Sequence, residues 1–368
     1  MNLLKRVLVA LAAPVLAFVV AGLIATLVLL TTGDDVGAFW TTLATAPSHD
    51  NVVAILNQTA VLYLSGVAAA IGFRMNLFNI GVEGQYRLAG LAAGVVAGAG
   101  WFPGYLNTVF AILVAVVTGA LWAGIAGLLR VTRGVSEVIS TIMLNAIAGS
   151  LIGYVITRVG TSNGKASNTR TMPESAWIGN ITIFKDSSTE LYGLSLLAIV
   201  VGVAFWVLLN KTRFGFDLRA SGSSETAAVA SGVNVRRMVV ISMLMSGAIA
   251  ALVGLPGMFS DAHNYGSSFQ TGLGFTGIAV ALLGRNNPIG IAFGALVFAY
   301  LSQQATLLNI LAGVSPDIIQ VTQGVIVMGV VIAYEVVRRY RVRLEQSQVA
   351  DELAAQRAAS HEPQGVKA

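Results

Sequence analysis

Asn76, Asn79, Glu83 and Gln85 stand in one run, Phe73-Arg-Met-Asn-Leu-Phe-Asn-Ile-Gly-Val-Glu-Gly-Gln-Tyr-Arg-Leu88, interleaved with Leu77, Phe78 and Ile80. Three carboxamides and one carboxylate at this density suit hydrogen bonding to a polar solute. A solvated loop has no use for so many apolar neighbours. Irregular backbone near membrane depth is tolerated only where protein or a water-filled cavity satisfies its polar groups, and Gly81 and Gly84 supply the breaks such a segment needs. Two readings follow from the residues alone: part of a solute pathway, or a turn between two helices at the cytoplasmic face.

Further polar groups interrupt apolar helices elsewhere. Glu137, Thr141 and Asn145 are four residues apart and share one helical face. An ionisable residue within a membrane segment is a functional candidate by default, although Glu137 lies near the cytoplasmic end, where a solvated or Arg133-paired carboxylate serves equally. Gln303, Gln304, Gln320 and Gln323 add hydrogen-bonding capacity without charge, which fits a neutral solute such as a sugar or nucleoside better than an ion. The chain has no Cys and three His, so disulfides, thiolate metal sites and a cysteine nucleophile are excluded, and metal chemistry is not expected. His49, His263 and His361 fall in loops or the tail, and no paired carboxylates occur, so an intramembrane enzyme lacks its acid–base groups. Gly160-Thr-Ser-Asn-Gly164-Lys165-Ala166 misses a phosphate-binding loop by one residue of spacing and by Ala166 at the hydroxyl position.

The elements that position these groups are apolar throughout. Of 368 residues, 55% are hydrophobic and 11% charged, with a mean hydropathy of +0.77, which excludes a water-soluble globular domain. About 20 apolar residues cross a bilayer as helix. Runs of that kind are Val7 to Leu30, Val52 to Phe73, Leu106 to Leu129, Val138 to Thr157, Leu191 to Leu209, Met238 to Leu255, Ile289 to Leu307 and Ile318 to Val337. The first is too long for a signal-peptide core and reads as an uncleaved anchor. Two shorter Gly-rich segments, Leu88 to Trp101 and Leu273 to Leu283, bring the expectation to ten crossings, with both termini on one side. Under that arrangement 18 of the 22 Lys and Arg lie on the terminal side and only Arg158, Lys165, Arg170 and Lys185 lie opposite, so the termini are expected in the cytoplasm. The 17 acidic residues divide 9 to 8 and show no bias. The expected fold is an all-α, polytopic membrane protein of about ten transmembrane helices. Residues 1–343 are expected to form a transmembrane domain, 158–190 an extracytoplasmic loop and 344–368 a polar cytoplasmic tail, either a short solvated helix or disordered.

Gly90, Gly94 and Gly98 form a small-residue face for close helix packing, echoed by Gly290 and Gly294 after the second short segment. Paired interrupted segments in two halves point to a permeation pathway built on a repeat. On the cytoplasmic side, residues 211–237 form the longest internal loop. Ser223 or Ser224 can cap a short helix there, Glu225 sits at its N-terminal end, Gly232 supplies the left-handed C-terminal cap and Asn234 caps the next helix. A helix faced with Ala227, Ala228 and Ala230 has little apolar mass of its own, so it reads either as a surface turn or as an element laid into a partner's groove.

Three segments carry a resemblance: Met75-Asn-Leu-Phe-Asn-Ile-Gly-Val-Glu-Gly-Gln85, Arg219-Ala-Ser-Gly with Glu225-Thr-Ala-Ala and Ala230-Ser-Gly-Val-Asn-Val235, and Gly277-Ile-Ala-Val-Ala-Leu-Leu-Gly-Arg-Asn-Asn-Pro-Ile-Gly290. Together they resemble the signature segments of ABC-importer permeases for nucleosides and simple sugars, within the ribose and branched-chain amino acid permease superfamily. The likeness spans about Val52 to Arg343. It implies a ten-helix permease of the cytoplasmic membrane that is no enzyme by itself and carries nucleosides, with simple sugars as the neighbouring substrate class. Asn76, Phe78, Asn79, Glu83, Gln85, Asn145 and Gln303 are the pathway candidates. Ala220 to Gly232 is implied to be the coupling loop, with Arg219, Ser224, Glu225, Ala227, Ala228 and Gly232 as its contacts. The implied partners are an ATP-binding subunit that uses ATP and Mg, a second permease copy or paralogue, an extracytoplasmic solute-binding protein and membrane lipid. No cofactor on this chain and no nucleic acid are expected. Gly284-Arg-Asn-Asn-Pro288 is shorter than the corresponding Gly-rich turn in many relatives. The competing reading is an ion-coupled secondary carrier built on the same broken helices.

Overall fold

The computed structural model describes residues 19–162, 167–315 and 317–329, with Ile332, Val336 and Arg339. The beginning of the first apolar run, Gly164-Lys165-Ala166, the end of the last run and the tail from Leu344 lie outside the described residues. Two units divide the chain. One comprises the segments up to Val36 and from Asp317, and in it α1 (Val19–Thr32) and α14 (Asp317–Gly329) are short apolar helices.

The other unit, Gly37–Pro316, holds every residue of the sites below. Following α2 (Val36–Ala44), its helices are α3 (His49–Arg74), α4 (Val82–Ala99), α5 (Tyr105–Arg133), α6 (Glu137–Val159), α7 (Leu197–Lys211), α8 (Arg213–Ser223), α9 (Glu225–Ala230) and α10 (Val235–Ala250). The chain continues through the single turn α11 (Leu255–Gly257) into a π-helical turn, Met258–Ala262, and then α12 (Leu273–Leu283) and α13 (Pro288–Ala312). Among the described residues, six helices are long and apolar enough to cross a membrane: His49–Arg74, Tyr105–Arg133, Glu137–Val159, Gly193–Lys211, Val235–Ala262 and Pro288–Leu311. This is fewer than the ten expected. At about 1.5 Å per residue, the 11 residues of α12 do not span a hydrocarbon core of about 30 Å. The 18 residues of α4 carry Glu83 and Arg87 in their first turns.

Helix α3 is the axis of this unit. Ser48 caps it, accepting from Asn51 N at 3.3 Å, and every residue from Ala60 to Gly72 is buried. A helix apolar on all sides has neighbours on all sides; α7, α10, α12 and α13 surround it. Helix α5 is inverted relative to a soluble helix. Its buried stripe is small, Ala111, Ala115, Gly119, Ala123 and Gly127, while Leu106, Val109, Leu113, Val117 and Leu121 are exposed. Without a hydrophobic drive between helices in lipid, small residues that let backbones approach make the contact. At the crossing of α5 and α10, a Cβ on Gly119 or on Gly247 would collide with the other's carbonyl. The face expected at Gly90, Gly94 and Gly98 does something else: it receives Phe269, Tyr265 and the Arg170 carbonyl, which belong to irregular segments rather than to a helix.

The described residues of the 158–190 segment are tied down at several points. The segment contains a ribbon of β1 (Thr161–Ser162) with β2 (Ser167–Asn168), and β3 (Asn180–Ile181) pairs with β4 (Leu191–Tyr192), both antiparallel. Thr169 N donates to Tyr265 O at 2.8 Å and Met172 N to His263 O at 2.9 Å, joining it to the chain between α10 and α12. His263, expected in a loop, ends the π-helical turn in left-handed backbone (φ 52) and stacks on Trp177 at 3.7 Å. His49, also expected in a loop, is the first residue of α3 and stacks on Phe184 at 4.1 Å. Its Nδ1 lies 2.7 Å from Asp186 Oδ2, a contact that holds the Asp186 carboxyl below the usual range.

Candidate functional site

The polar run after α3 folds inward as a hydrogen-bonded clamp. Asn79 is fully buried. Its Nδ2 donates to Gln85 Oε1 at 3.1 Å and Ser246 Oγ at 2.8 Å, while its Oδ1 accepts from Gly81 N and Gln85 Nε2, both at 3.0 Å. Ser246 in turn donates to Ala68 O at 2.6 Å, so α3, α4 and α10 meet at this amide. Asn145 on α6 closes the other side, accepting from Gly84 N and donating to Ile80 O, each at 2.9 Å. Glu137 accepts from Phe78 N at 3.2 Å and pairs with Arg130 rather than with Arg133. Asn76, in left-handed backbone, and Phe78 face outward.

Glu83 reaches the second broken segment. Its Oε1 accepts from Gly272 N at 2.8 Å and Tyr86 OH at 3.1 Å, its Oε2 from Gly274 N at 3.0 Å, and Arg87 Nη1 stands 3.9 Å away. A side chain of α4 thereby satisfies N–H groups at the start of α12, which a helix cannot pair internally.

Beside this joint lies a cavity of about 410 Å³, within the range of small-molecule sites. Asn57, Gln58 and Val61 of α3, Thr189 and Tyr192, Asp261 of the π-helical turn, Ser268 to Gln270, Leu273, and Ser302, Gln303 and Thr306 of α13 contribute to its wall. Among the described residues the side chains of Gln58 and Gln270 have no hydrogen-bond partner, whereas Gln303 Nε2 donates to Asn51 Oδ1 at 2.9 Å. Asn57 is occupied: Nδ2 donates to Glu190 O at 3.0 Å, and Oδ1 accepts from Tyr192 N at 2.9 Å. Phe269 is wedged between Gly90 and Gly254, where a Cβ on either would strike its ring, and it packs on Tyr265 at 4.4 Å. The wall thus offers a rigid aromatic ring, carboxamides and one carboxylate.

A second cluster lies in the 211–237 connection, which holds α8 and α9. Ser224 caps α9, accepting from Ala227 N at 3.3 Å, Glu225 is in the first turn, and Gly232 follows with φ 84. Asn234 caps α10 through Arg237 N at 3.0 Å. Glu225, Ala227 and Val229 are exposed. Ala228, expected on the partner-facing side, is 2% exposed and packs toward its own chain, where α9 meets α8 and α10. Arg219 donates to Leu209 O, bracing α8 on the end of α7.

A family described as "Branched-chain amino acid transport system / permease component" matches residues 51–333. The chain belongs to this permease family. It is 35% identical to the guanosine ABC transporter permease protein NupP of Bacillus subtilis, over 76% of this chain and 81% of that protein. It is 32% identical to the nucleoside ABC transporter permease protein NupB of Lactococcus lactis (76% and 78% covered), and 31% identical to the glucose ABC transporter permease protein TsgB13 of Haloferax volcanii (81% and 80%). The chain is a multi-pass membrane permease, and the relatives are transport subunits rather than enzymes.

Of the pathway candidates in this permease, only Gln303 lines the cavity. Glu83 is buried against the segment that forms part of its wall, Asn79 and Gln85 are buried away from the lining, Asn145 braces Gly84 and Ile80, and Asn76 and Phe78 sit outside it. Gln58, Asp261, Phe269 and Gln270 were missed. The signal for Gln270 lies in Phe269-Gln-Thr-Gly, which directly precedes the short Gly-rich segment Leu273 to Leu283. Asp261 follows an apolar helix as any loop residue does, and nothing in its neighbours marks the π-helical turn.

Proposed function

We propose that this permease is the membrane-spanning subunit of an ATP-driven importer of nucleosides in the cytoplasmic membrane. The carrying observation is the cavity's mixture of a clamped aromatic ring with carboxamides, which suits a flat, neutral, hydrogen-bonding base joined to a sugar. The names of the relatives for guanosine and nucleosides support the same class, while the glucose permease makes sugars the alternative to test. The distribution of Lys and Arg supports about ten crossings with both termini cytoplasmic, and the paired Gly-broken segments support two pseudo-repeated halves. In this reading 158–190 lies outside, facing a solute-binding protein, and α8–α9 inside, facing an ATP-binding subunit that uses ATP and Mg. A second permease copy or paralogue completes the pathway. Membership of the family disfavours an ion-coupled carrier.

Uptake of labelled uridine by cells expressing the full transporter tests this. Competition by other nucleosides, with uptake persisting when the proton gradient is collapsed and ATP maintained, is the expected result. Competition by glucose or ribose but not by nucleosides would move the substrate to sugars. Loss of uptake with the gradient alone would sink the ATP-driven reading.

A further inference from the structure

We infer that Glu83 is a positioning residue: an internal carboxylate that occupies the meeting point of two helix N-termini and so fixes the cavity wall at Phe269, Gln270 and Leu273. Four observations converge. Glu83 lies in the first turn of α4 and also accepts from Gly272 N and Gly274 N at the start of α12, so one carboxyl group serves the positive ends of two helices. Each carboxyl oxygen takes its own backbone N–H, Oε1 that of Gly272 and Oε2 that of Gly274, so both are engaged at the start of α12. The two helix starts are in contact, since a Cβ on Gly274 would strike the backbone of Glu83. Tyr86 OH lies 3.1 Å from Glu83 Oε1 and 2.9 Å from Gln270 O, so its one proton serves either acceptor and its oxygen touches both the carboxylate and the cavity residue.

Broken helices in transporters commonly aim their N-termini at an anionic group of the solute. Here that position is filled by the protein's own side chain. The helix ends are thereby closed to an anionic group of the solute, and Glu83 itself does not line the cavity. Without the carboxylate, the N–H groups of Gly272 and Gly274 and the Arg87 guanidinium converge on an empty space suited to a small anion. Glutamine is a poor replacement despite its shape, because its NH2 would face one of two N–H donors.

The inference rests on the nucleoside reading for its assay. In cells expressing the full transporter, Glu83→Ala is expected to raise the KM for labelled uridine about tenfold or more, and added formate is expected to restore it. Formate is expected to leave wild type unchanged. A wild-type KM in Glu83→Ala, or a loss that formate does not relieve, overturns the role. If Glu83→Ala does not assemble, Glu83→Gln carries the test: a KM within about twofold of wild type overturns the role, and a severalfold rise supports it. Failure of wild type to take up uridine would refute the nucleoside reading alone, and the same variants would then be compared with labelled glucose.

Discussion

Asn79 and Gln270 carry the same carboxamide in the two glycine-broken segments, yet the first is fully buried and the second is exposed on the cavity. Asn79 spends both amide atoms on Gln85, Ser246 and Gly81, whereas the Gln270 side chain has no partner among the described residues. The difference follows from position. At Asn79 the segment after α3 is closed in by α4, α6 and α10, so that amide must find partners within the protein. The segment before α12 borders open space and leaves its side chains for a solute. Density of polar residues in an apolar stretch therefore marks a joint as readily as a pathway.

The largest expected effect separates these roles. Asn79→Leu strands Gly81 N and the Gln85 amide in a buried site, at about 1–3 kcal/mol for each unsatisfied group. Its folded yield and melting temperature in detergent are expected to collapse. Gln270→Leu is expected to melt like wild type while raising the KM for the solute. A stable Asn79→Leu protein with normal KM, or an unstable Gln270→Leu protein, would reverse the comparison.

The permease family, the helical character and the capping of α9 were legible in the sequence because each rests on local pattern: apolar runs, Ser224, Gly232 and Asn234 at fixed spacing. The cavity was not, because its wall joins residues some 250 positions apart, from Gln58 to Thr306, and only tertiary contact brings them together. The glycine stripes show the same limit. Spacing indicated that Gly90, Gly94 and Gly98 approach something closely, but Phe269, Tyr265 and Arg170 are named only by the fold. The stripe that does pack on a helix, Ala111 to Gly127, hid among alanines.

An intermediate effect extends the inward–outward contrast to α9. Ala228→Trp overpacks a site closed by the chain itself, costing about 1–3 kcal/mol of this protein's own stability. Ala227→Trp adds its ring on the exposed side. If α9 docks on an ATP-binding subunit, Ala227→Trp should leave the melting temperature unchanged and weaken association by about five- to hundredfold, from the same overpacking cost at about 1.4 kcal/mol per tenfold. Pull-down of that subunit, read beside solute-stimulated ATP hydrolysis, checks it. Wild-type association in Ala227→Trp would move the contact to the Gly284 to Pro288 turn.

The smallest effect concerns two carboxylates that hold the outer segment to the start of α3. Asp50 Oδ1 accepts from Ser187 Oγ at 2.8 Å, Ser188 N at 2.7 Å and Thr189 N at 3.0 Å, gathering three consecutive residues next to the cavity-lining Thr189. The side-chain partner of Asp186 is the His49 ring, and both are largely exposed to water. Exposed pairs contribute little, while a carboxylate that satisfies several N–H and O–H groups orders its loop. Because the His49 contact depresses the Asp186 pKa, whatever that pair contributes is fully present above the ordinary carboxylate value of 3.8 and fades only as pH falls through the lower folded value. From pH 6 to 8 the titration of Asp186 should therefore leave the loop unchanged. Trypsin cleavage after the exposed Lys185 reads the difference directly: Asp50→Ala should speed it severalfold, and Asp186→Asn by less than about twofold. Equal acceleration by both variants would mean that the loop is held by the His49 contact as firmly as by the Asp50 bonds.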